Sequence, residues 1–218
     1  MTADSSAAAL FRILWADLCT RMLDTIVPAN ARKLVPTIAA GELLRLLGTP
    51  DARFGADPVA ARDRLFDASL TAAWGEAVRL MGPDPAGWRW GSLHKVRIAH
   101  PLARLPAIAA AFPAIEGDSS GGGSGGDNYT VNARWVPRRG FGVTGGASYL
   151  QVIDVGNWDA SRYLNLPGQS ADPQSPHYRD HYAPWIAGEM QPLPFSTAAV
   201  DAAARHRTVL KPPVAGRT

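Results

Sequence analysis

The sequence contains a single cysteine, Cys19, among 218 residues. A disulfide within the chain is therefore impossible, and a cysteine-rich metal site is excluded. Cys19 lies in a segment whose apolar residues follow a helical spacing, and a lone cysteine in such a place is most often a small core residue. We therefore interpret Cys19 as part of the core and not as a nucleophile.

The chain also lacks a long apolar run and a block of Lys and Arg. Without a run of about 18 apolar residues we expect no transmembrane helix. The formal net charge is +3 and the charges are scattered, so a nucleic-acid partner is not indicated. No basic segment followed by an apolar stretch begins the chain, so we expect no signal peptide here. Either the protein is cytoplasmic or its signal lies on another portion.

The hydrophobic fraction of 46% is high enough for a sizeable core. In the first part of the chain the apolar residues recur with helical spacing, which predicts helices over residues 7–23, 31–47 and 58–80. Ser5 or Ser6 is placed to cap the first helix, and Pro58 stands at the first position of the third. We therefore predict a helical subregion over residues 1–82.

The second part of the chain, residues 88–218, has shorter patterns of mixed type. Alternation and β-forming residues predict strands over residues 93–99, 129–136, 149–154, 161–166 and 207–212. Helices are predicted from Ser175-Pro176 to Gly188 and over residues 196–206. Residues 119–126, rich in glycine and serine, predict a mobile surface loop. Helices followed by a small antiparallel sheet and further helices give an α+β fold class.

Gly121, Gly123 and Gly126 satisfy the pattern G-x-G-x-x-G. No hydrophobic strand precedes them and no helix follows, so the pattern does not predict a nucleotide site. His94 and His100 flank a short predicted strand without other ligand-type residues nearby, and we interpret them as packed or hydrogen-bonded side chains.

The stretch from Leu164 to Tyr182 has two histidines and a serine within a dozen residues. Ser170 is close to the G-x-S-x-G pattern of nucleophilic serines, but Asp172 replaces the last glycine. His177 and His181 would share one face of a helix, yet a zinc site needs a third ligand and a base. We expect these histidines to satisfy nearby carbonyl groups. The residues taken alone therefore predict no self-contained catalytic site.

The order of several motifs is more informative than any single one. The sequence has W-R-W-G-S-L-H at 88–94, G-D-N-Y-T-V-N at 126–132, G-A-S-Y at 146–149 and P-G-Q-S-A-D-P-Q-S-P-H-Y-R-D at 167–180. In this combination the chain resembles the C-terminal part of the β-subunit of penicillin acylases, the penicillin amidase family of N-terminal-nucleophile hydrolases. The resemblance extends over about residues 7–211 and implies a segment of an αββα fold.

The resemblance implies an amide hydrolase that acts on linear acyl amides, either β-lactam side chains or N-acyl homoserine lactones. In this family a precursor cuts itself and frees a serine at the start of the β-chain, whose hydroxyl attacks the amide carbon. A backbone N–H and an asparagine stabilise the oxyanion. For the whole enzyme the resemblance implies a periplasmic or secreted location.

Family precursors are several times longer than this chain, and by resemblance the nucleophile, the oxyanion asparagine and any calcium ligands lie upstream. The asparagines at 128, 132, 157 and 165 do not match the oxyanion motif. We therefore expect that this chain holds no cofactor and that it has no activity alone. Its expected partners are the upstream α- and β-chain portions and the acyl-amide substrate. Without those portions, we expect apolar helix faces to be exposed. The alternative is a non-catalytic truncated or pseudo-enzyme interaction module.

Asp154 is the one residue of the chain to which the resemblance gives a possible role in catalysis. It matches a carboxylate that, in cephalosporin-type relatives, orients a histidine near the nucleophile. The alternative is a turn former, since Asp154 precedes Gly156 at a strand end. For residues 164–182 the resemblance favours a structural connection between a strand and a helix.

Overall fold

The computed structural model describes residues 1–116, 123–131, 133–137 and 139–211. Its internal contacts divide the chain into two compact units, Met1–Ala147 and Ser148–Thr218. Long helices come first and small antiparallel sheets follow, so the predicted α+β class is confirmed.

The first unit begins with the helices α1 (Ser6–Ile26), α2 (Ala40–Gly48), α3 (Pro58–Met81) and α4 (Trp90–Leu93). The Ser5 hydroxyl accepts a hydrogen bond from the Ala8 N–H at 3.0 Å, which caps α1 as predicted. Asp57 caps α3 in the same way through the Ala60 N–H. The predicted helices at 7–23 and 58–80 are therefore confirmed.

The predicted helix over 31–47 is wrong in its first half, since α2 begins only at Ala40. Residues 31–34 form turns, and Pro36 follows them. A proline has no N–H to donate and restricts the residue before it, so a helix cannot pass through this position without a break.

The core of the first unit lies between α1 and α3. Ser69, Ala73 and Ala77 are spaced four residues apart on α3 and are buried, and their small side chains allow the two helices to approach closely. Buried side chains complete two clusters there. One contains Ile13, Ala73, Ala77 and Trp88, and the other contains Met22, Leu43, Leu46 and Phe54.

Two short antiparallel pairs follow in the first unit. Strand β1 (Arg97–Ile98) pairs with β2 (Ile115–Glu116), and β3 (Arg134–Trp135) pairs with β4 (Gly145–Gly146). The strands predicted over 93–99 and 129–136 are therefore reduced to two residues each. Around these pairs, α4 ends at Leu93, Lys95 and Val96 form isolated β-bridges to Gly123 and Val143, and a turn at 129–131 precedes β3.

The second unit contains a three-stranded antiparallel sheet with the order β5 (Tyr149–Val152), β6 (Arg162–Asn165) and β7 (Gln191–Pro192). In its register Tyr149 is opposite Asn165 and Tyr163 is opposite Gln191. The predicted strand at 149–154 is confirmed over its first four residues, and the one at 161–166 over its four central residues. Strand β7 was not predicted, because its two residues have no pattern of their own.

Two helices complete the second unit, α5 (Tyr182–Ala187) and α6 (Thr197–Ala203). The predicted start of a helix at Ser175 is wrong, because residues 173–181 form turns before α5 begins. The predicted edge strand over 207–212 is also wrong, since residues 207–211 are not in a strand. Residue 212 lies outside the described part of the chain.

Large apolar side chains remain exposed on the helices of the first unit, as expected. On α3 they recur every four residues and form one face: Phe66, Leu70 and Trp74. No helix among the described residues has both the length and the hydropathy needed to cross a membrane.

Candidate functional site

Asp154 lies just after β5, in an exposed turn of the second unit. Its Oδ1 accepts hydrogen bonds from the N–H groups of Gly156 and Asn157, both at 2.9 Å. Its own N–H donates to the Ser161 hydroxyl at 3.1 Å. The residue is thus a turn former, and these bonds fix the direction of the carboxyl group while its Oδ2 takes no part in them. The proposed relay role stays a prediction.

A second carboxylate in the same turn region was not singled out from the sequence. Asp159 Oδ1 accepts hydrogen bonds from the N–H groups of Phe195 and Ser196, both at 2.8 Å. These donors, led by Ser196, lower the pKa of Asp159. The ring of Trp158 lies 5.1 Å from that of Phe195. Asp159 therefore ties the start of α6 to the turn after β5, a contact over 36 residues that no local pattern indicates.

The connection between β6 and α5 is closed by backbone contacts. The N–H groups of Gln169 and Ser170 both donate to the His177 carbonyl, at 2.9 and 3.1 Å, and the His181 N–H donates to the Pro167 carbonyl. Gly168 lies so close to this segment that a Cβ on it would be 2.3 Å from the His177 carbonyl oxygen. Residues 164–182 are therefore a structural connection, as the resemblance implied.

The two histidines of this connection do not form a pair on one helix face, because α5 begins only after them. His181 is buried, and its Nδ1 lies 2.8 Å from the Asn165 carbonyl oxygen. His177 is exposed, and its Nδ1 lies 2.8 Å from Asp180 Oδ2, which lowers the pKa of Asp180. In the part of the chain that the structure describes, no three His, Cys, Asp or Glu residues are grouped to hold a metal.

The second half of the glycine and serine tract is packed, so the predicted mobile surface loop is wrong for residues 123–126. Gly123 approaches Gly91 so closely that a Cβ on Gly123 would be 2.7 Å from the Gly91 carbonyl oxygen. Ser124 is buried and its N–H donates to the His94 carbonyl at 2.8 Å. The absence of side chains lets the two backbones meet. Residues 119–122, including Gly121, lie outside the described residues.

His94 and Trp90 form the centre of the packed motif at 88–94. Their rings stack at 4.4 Å, and His94 Nδ1 lies 2.6 Å from the Phe141 carbonyl oxygen. Burial lowers the pKa of His94, so the neutral ring is favoured. His100 is also hydrogen-bonded, since its Nδ1 accepts from the Leu102 N–H. The interpretation of both histidines as packed or bonded side chains is confirmed.

A buried ion pair joins α1 to the motif at 126–132. Arg12 Nη1 lies 3.2 Å from Asp127 Oδ2, and the two side chains are 8% and 4% exposed. Asp127 Oδ1 also accepts from the Tyr129 N–H at 2.8 Å. Burial lowers the pKa of Arg12, and the Asp127 carboxylate opposes this change. Asp127 of this motif therefore has a structural role in the first unit.

Cys19 is half-buried on α1 and packs against the cluster around Met22 and Leu43. Burial raises the pKa of its thiol, while Arg12 lowers it to a smaller extent. A thiol with a raised pKa is a poor nucleophile near neutral pH. This agrees with the interpretation of Cys19 as a core residue.

Comparison with known proteins gives one family match. The model of the penicillin amidase family matches residues 1–202. The chain is 38% identical over 146 residues to the penicillin acylase 2 proenzyme of Pseudomonas sp. strain SE83, covering 63% of this chain and 18% of that protein. It is 26% identical over 208 residues to the acyl-homoserine lactone acylase QuiP of Pseudomonas fluorescens strain Pf-5, covering 89% and 24%.

A solved structure, the thermostable penicillin G acylase from Alcaligenes faecalis, aligns with 97% of this chain and 40% of that chain, at 17% identity and a TM-score of 0.45. The chain spans between 18% and 24% of the length of the two curated relatives.

Proposed function

Because the chain belongs to the penicillin amidase family, we propose that it forms the C-terminal part of an amide hydrolase that cleaves linear acyl amides. The observation that carries this proposal is the family match over residues 1–202, which includes all four sequence motifs. The names of the two relatives support the substrate class, since penicillins and acyl-homoserine lactones both have an acyl group joined to a ring through an amide.

The proposed reaction begins with a serine at the N-terminus of a portion outside this chain. Its hydroxyl oxygen forms a bond to the amide carbon, the C–N bond breaks, and the proton passes through the α-amine to the departing amine. Water then hydrolyses the acyl ester and restores the serine. The other portions also supply the oxyanion asparagine and any calcium ligands, and for the whole enzyme we propose a periplasmic or secreted location.

In this scheme Asp154 is a positioning residue. Its Oδ1 is held by the N–H groups of Gly156 and Asn157, and the side chain is exposed. The proposal is that Asp154 Oδ2 accepts a hydrogen bond from a histidine on another acylase portion and orients that ring toward the serine amine. A carboxylate whose direction is already fixed loses little conformational entropy when it makes this bond.

The proposal is tested by complementation. The matching segment is deleted from the penicillin acylase 2 proenzyme of strain SE83, and the remaining portion is co-expressed with this chain. We expect hydrolysis of a chromogenic phenylacetyl anilide or of decanoyl homoserine lactone from the complex, and none from either component alone. Turnover by this chain alone, or covalent labelling of one of its own serines, would contradict the proposal. A stable complex without turnover would favour the non-catalytic interaction module.

The role of Asp154 is tested in the active complex with Asp154→Asn. We expect kcat to fall about a hundredfold, with KM and complex formation unchanged and with partial recovery in Asp154→Glu. Asp172→Asn is the matched control, because Asp172 is also an exposed turn carboxylate and accepts from the Gln174 N–H at 2.9 Å. An equal kcat in the two Asn variants would show that Asp154 only forms the turn and does not orient a histidine.

A further inference from the structure

A pocket of about 310 Å³ lies in the first unit, lined by α1, by the segment 32–38 and by residues 128–129, 136–137 and 139. This volume is at the lower end of the range for sites that hold small organic molecules. We call it the arginine pocket, because Arg12, Arg32 and Arg139 line its wall. Nothing in the proposed hydrolysis uses it.

The arginine pocket has a positive wall. Three arginines line it, and its described lining contains no aspartate or glutamate. Arg32 is paired with Asp24, which lies outside the lining, through a contact of 2.6 Å. Arg139 makes no ion pair with any described residue. Since Arg12 and Arg32 are each paired with a carboxylate outside the lining, the positive charge without a described counter-ion is that of Arg139.

Arg12 is the buried member of this set, and its hydrogen-bonding capacity is incompletely used. Its Nη1 contacts Asp127 at 3.2 Å, and its Nε finds no acceptor among the described residues. A guanidinium has five N–H donors, and leaving them without partners in a buried position is costly. Arg12 therefore brings to the pocket a buried guanidinium with a donor that no described residue uses.

Part of the remaining wall is apolar and aromatic, beside the polar Thr20, Thr37 and Asn128. Trp15 and Tyr129 meet edge to face, with ring centroids 6.1 Å apart, and Leu23 and Ile38 are also in the lining. Such a surface stabilises an aryl or alkyl group through burial and ring contacts. A purely inorganic anion would leave this part of the wall unused.

We propose that the arginine pocket binds a small organic carboxylate with an aryl or alkyl body. The carboxylate faces the guanidinium groups, whose planar N–H forks match its two oxygens, and the apolar body lies against Trp15 and Tyr129. This inference is independent of the proposed hydrolysis, because it concerns binding to this chain alone.

Cys19 provides a local measurement, because it lines the pocket and is the only cysteine of the chain. The rate of its modification by N-ethylmaleimide is followed by mass spectrometry on the full chain, at mildly alkaline pH. We expect 3-phenylpropionate to slow this rate in a saturable way, with half-protection at about 1 mM or below. The neutral isostere 3-phenylpropionamide should bind at least about tenfold more weakly, because it lacks the charge. Inorganic phosphate should give no protection at the same concentrations.

Arg139→Gln should weaken protection by 3-phenylpropionate about tenfold, relative to the ligand-free rate of the same variant. Arg64→Gln is the matched control, since Arg64 is an exposed arginine outside the lining. Circular dichroism checks that both variants keep their helices.

Absence of protection, equal protection by the amide or by phosphate, or an unchanged Arg139→Gln variant would overturn the proposal. If the complementing acylase portion protects Cys19 and 3-phenylpropionate does not, the pocket is a contact between chain portions and the proposal is wrong.

Discussion

Replacing Gly168 by alanine tests whether the connection between β6 and α5 is held by the close approach of two backbones. The added Cβ would lie 2.3 Å from the His177 carbonyl oxygen, 2.8 Å from Asp180 Oδ1 and 2.9 Å from the Tyr178 carbonyl carbon. Ordinary contact distances begin near 3.4 Å. The His177 carbonyl must therefore move by roughly 1 Å, which is the kind of overpacking that costs about 1–3 kcal/mol.

The same carbonyl accepts the hydrogen bonds from Gln169 and Ser170, so its displacement also weakens both. At about 1 kcal/mol for each bond, the expected total is about 3–5 kcal/mol in the free energy of opening the second unit. Hydrogen exchange followed by mass spectrometry measures this quantity for peptides from the second unit, and the peptides of α1 serve as an internal reference.

Gly75→Ala is the control, because nothing lies within 4 Å of the Cβ that it would add inside α3. An alanine in a helix interior is expected to stabilise by about 0.5–1 kcal/mol relative to glycine. If Gly168→Ala changes the exchange of the second unit by less than about 0.5 kcal/mol, the reasoning from close approach is refuted.

Three further predictions concern the first unit. Asp127→Asn leaves the buried Arg12 guanidinium without its carboxylate and should lower the free energy of unfolding in urea by about 3–5 kcal/mol. The double variant with Arg12→Met should recover most of this loss. An equal loss in the single and the double variant would contradict a buried ion pair. Burial lowers the pKa of His94 below 6.5, so the folded state binds fewer protons. The stability that neutral His94 contributes should therefore be fully present above pH 6.5 and should be lost as the pH falls below that value. His94→Gln should remove this part of the pH dependence of unfolding. Ser5→Ala should cost about 1 kcal/mol in thermal unfolding by loss of the α1 cap, and Ser6→Ala should change little.

Local sequence signals predicted the longest elements well. The helices α1 and α3 have regular apolar spacing over 21 and 24 residues, with a capping side chain before each. The strands β5 and β6 also have a clear alternation. By contrast, the start of α2 was misjudged because the effect of Pro36 outweighed the favourable spacing around it.

In the candidate functional site, too, some features could be predicted from the local sequence and others could not. The place of Asp154 at the end of β5 followed from its motif, and the structure adds the two N–H donors that fix its carboxyl group. The arginine pocket had no sequence signal, because its lining residues Arg12 and Arg139 lie in segments that are far apart along the chain. Neither residue alone differs from an ordinary surface charge in the sequence.

The sequence by itself determined the family, the α+β class and the two long helices, because motifs and helical periodicity depend on residues that are close along the chain. Only the tertiary structure decided that the tract at 123–126 is packed against Gly91 and that β1 to β4 are two-residue pairs. These features depend on contacts between distant segments, whose free energy comes from burial and backbone pairing that no single segment contains.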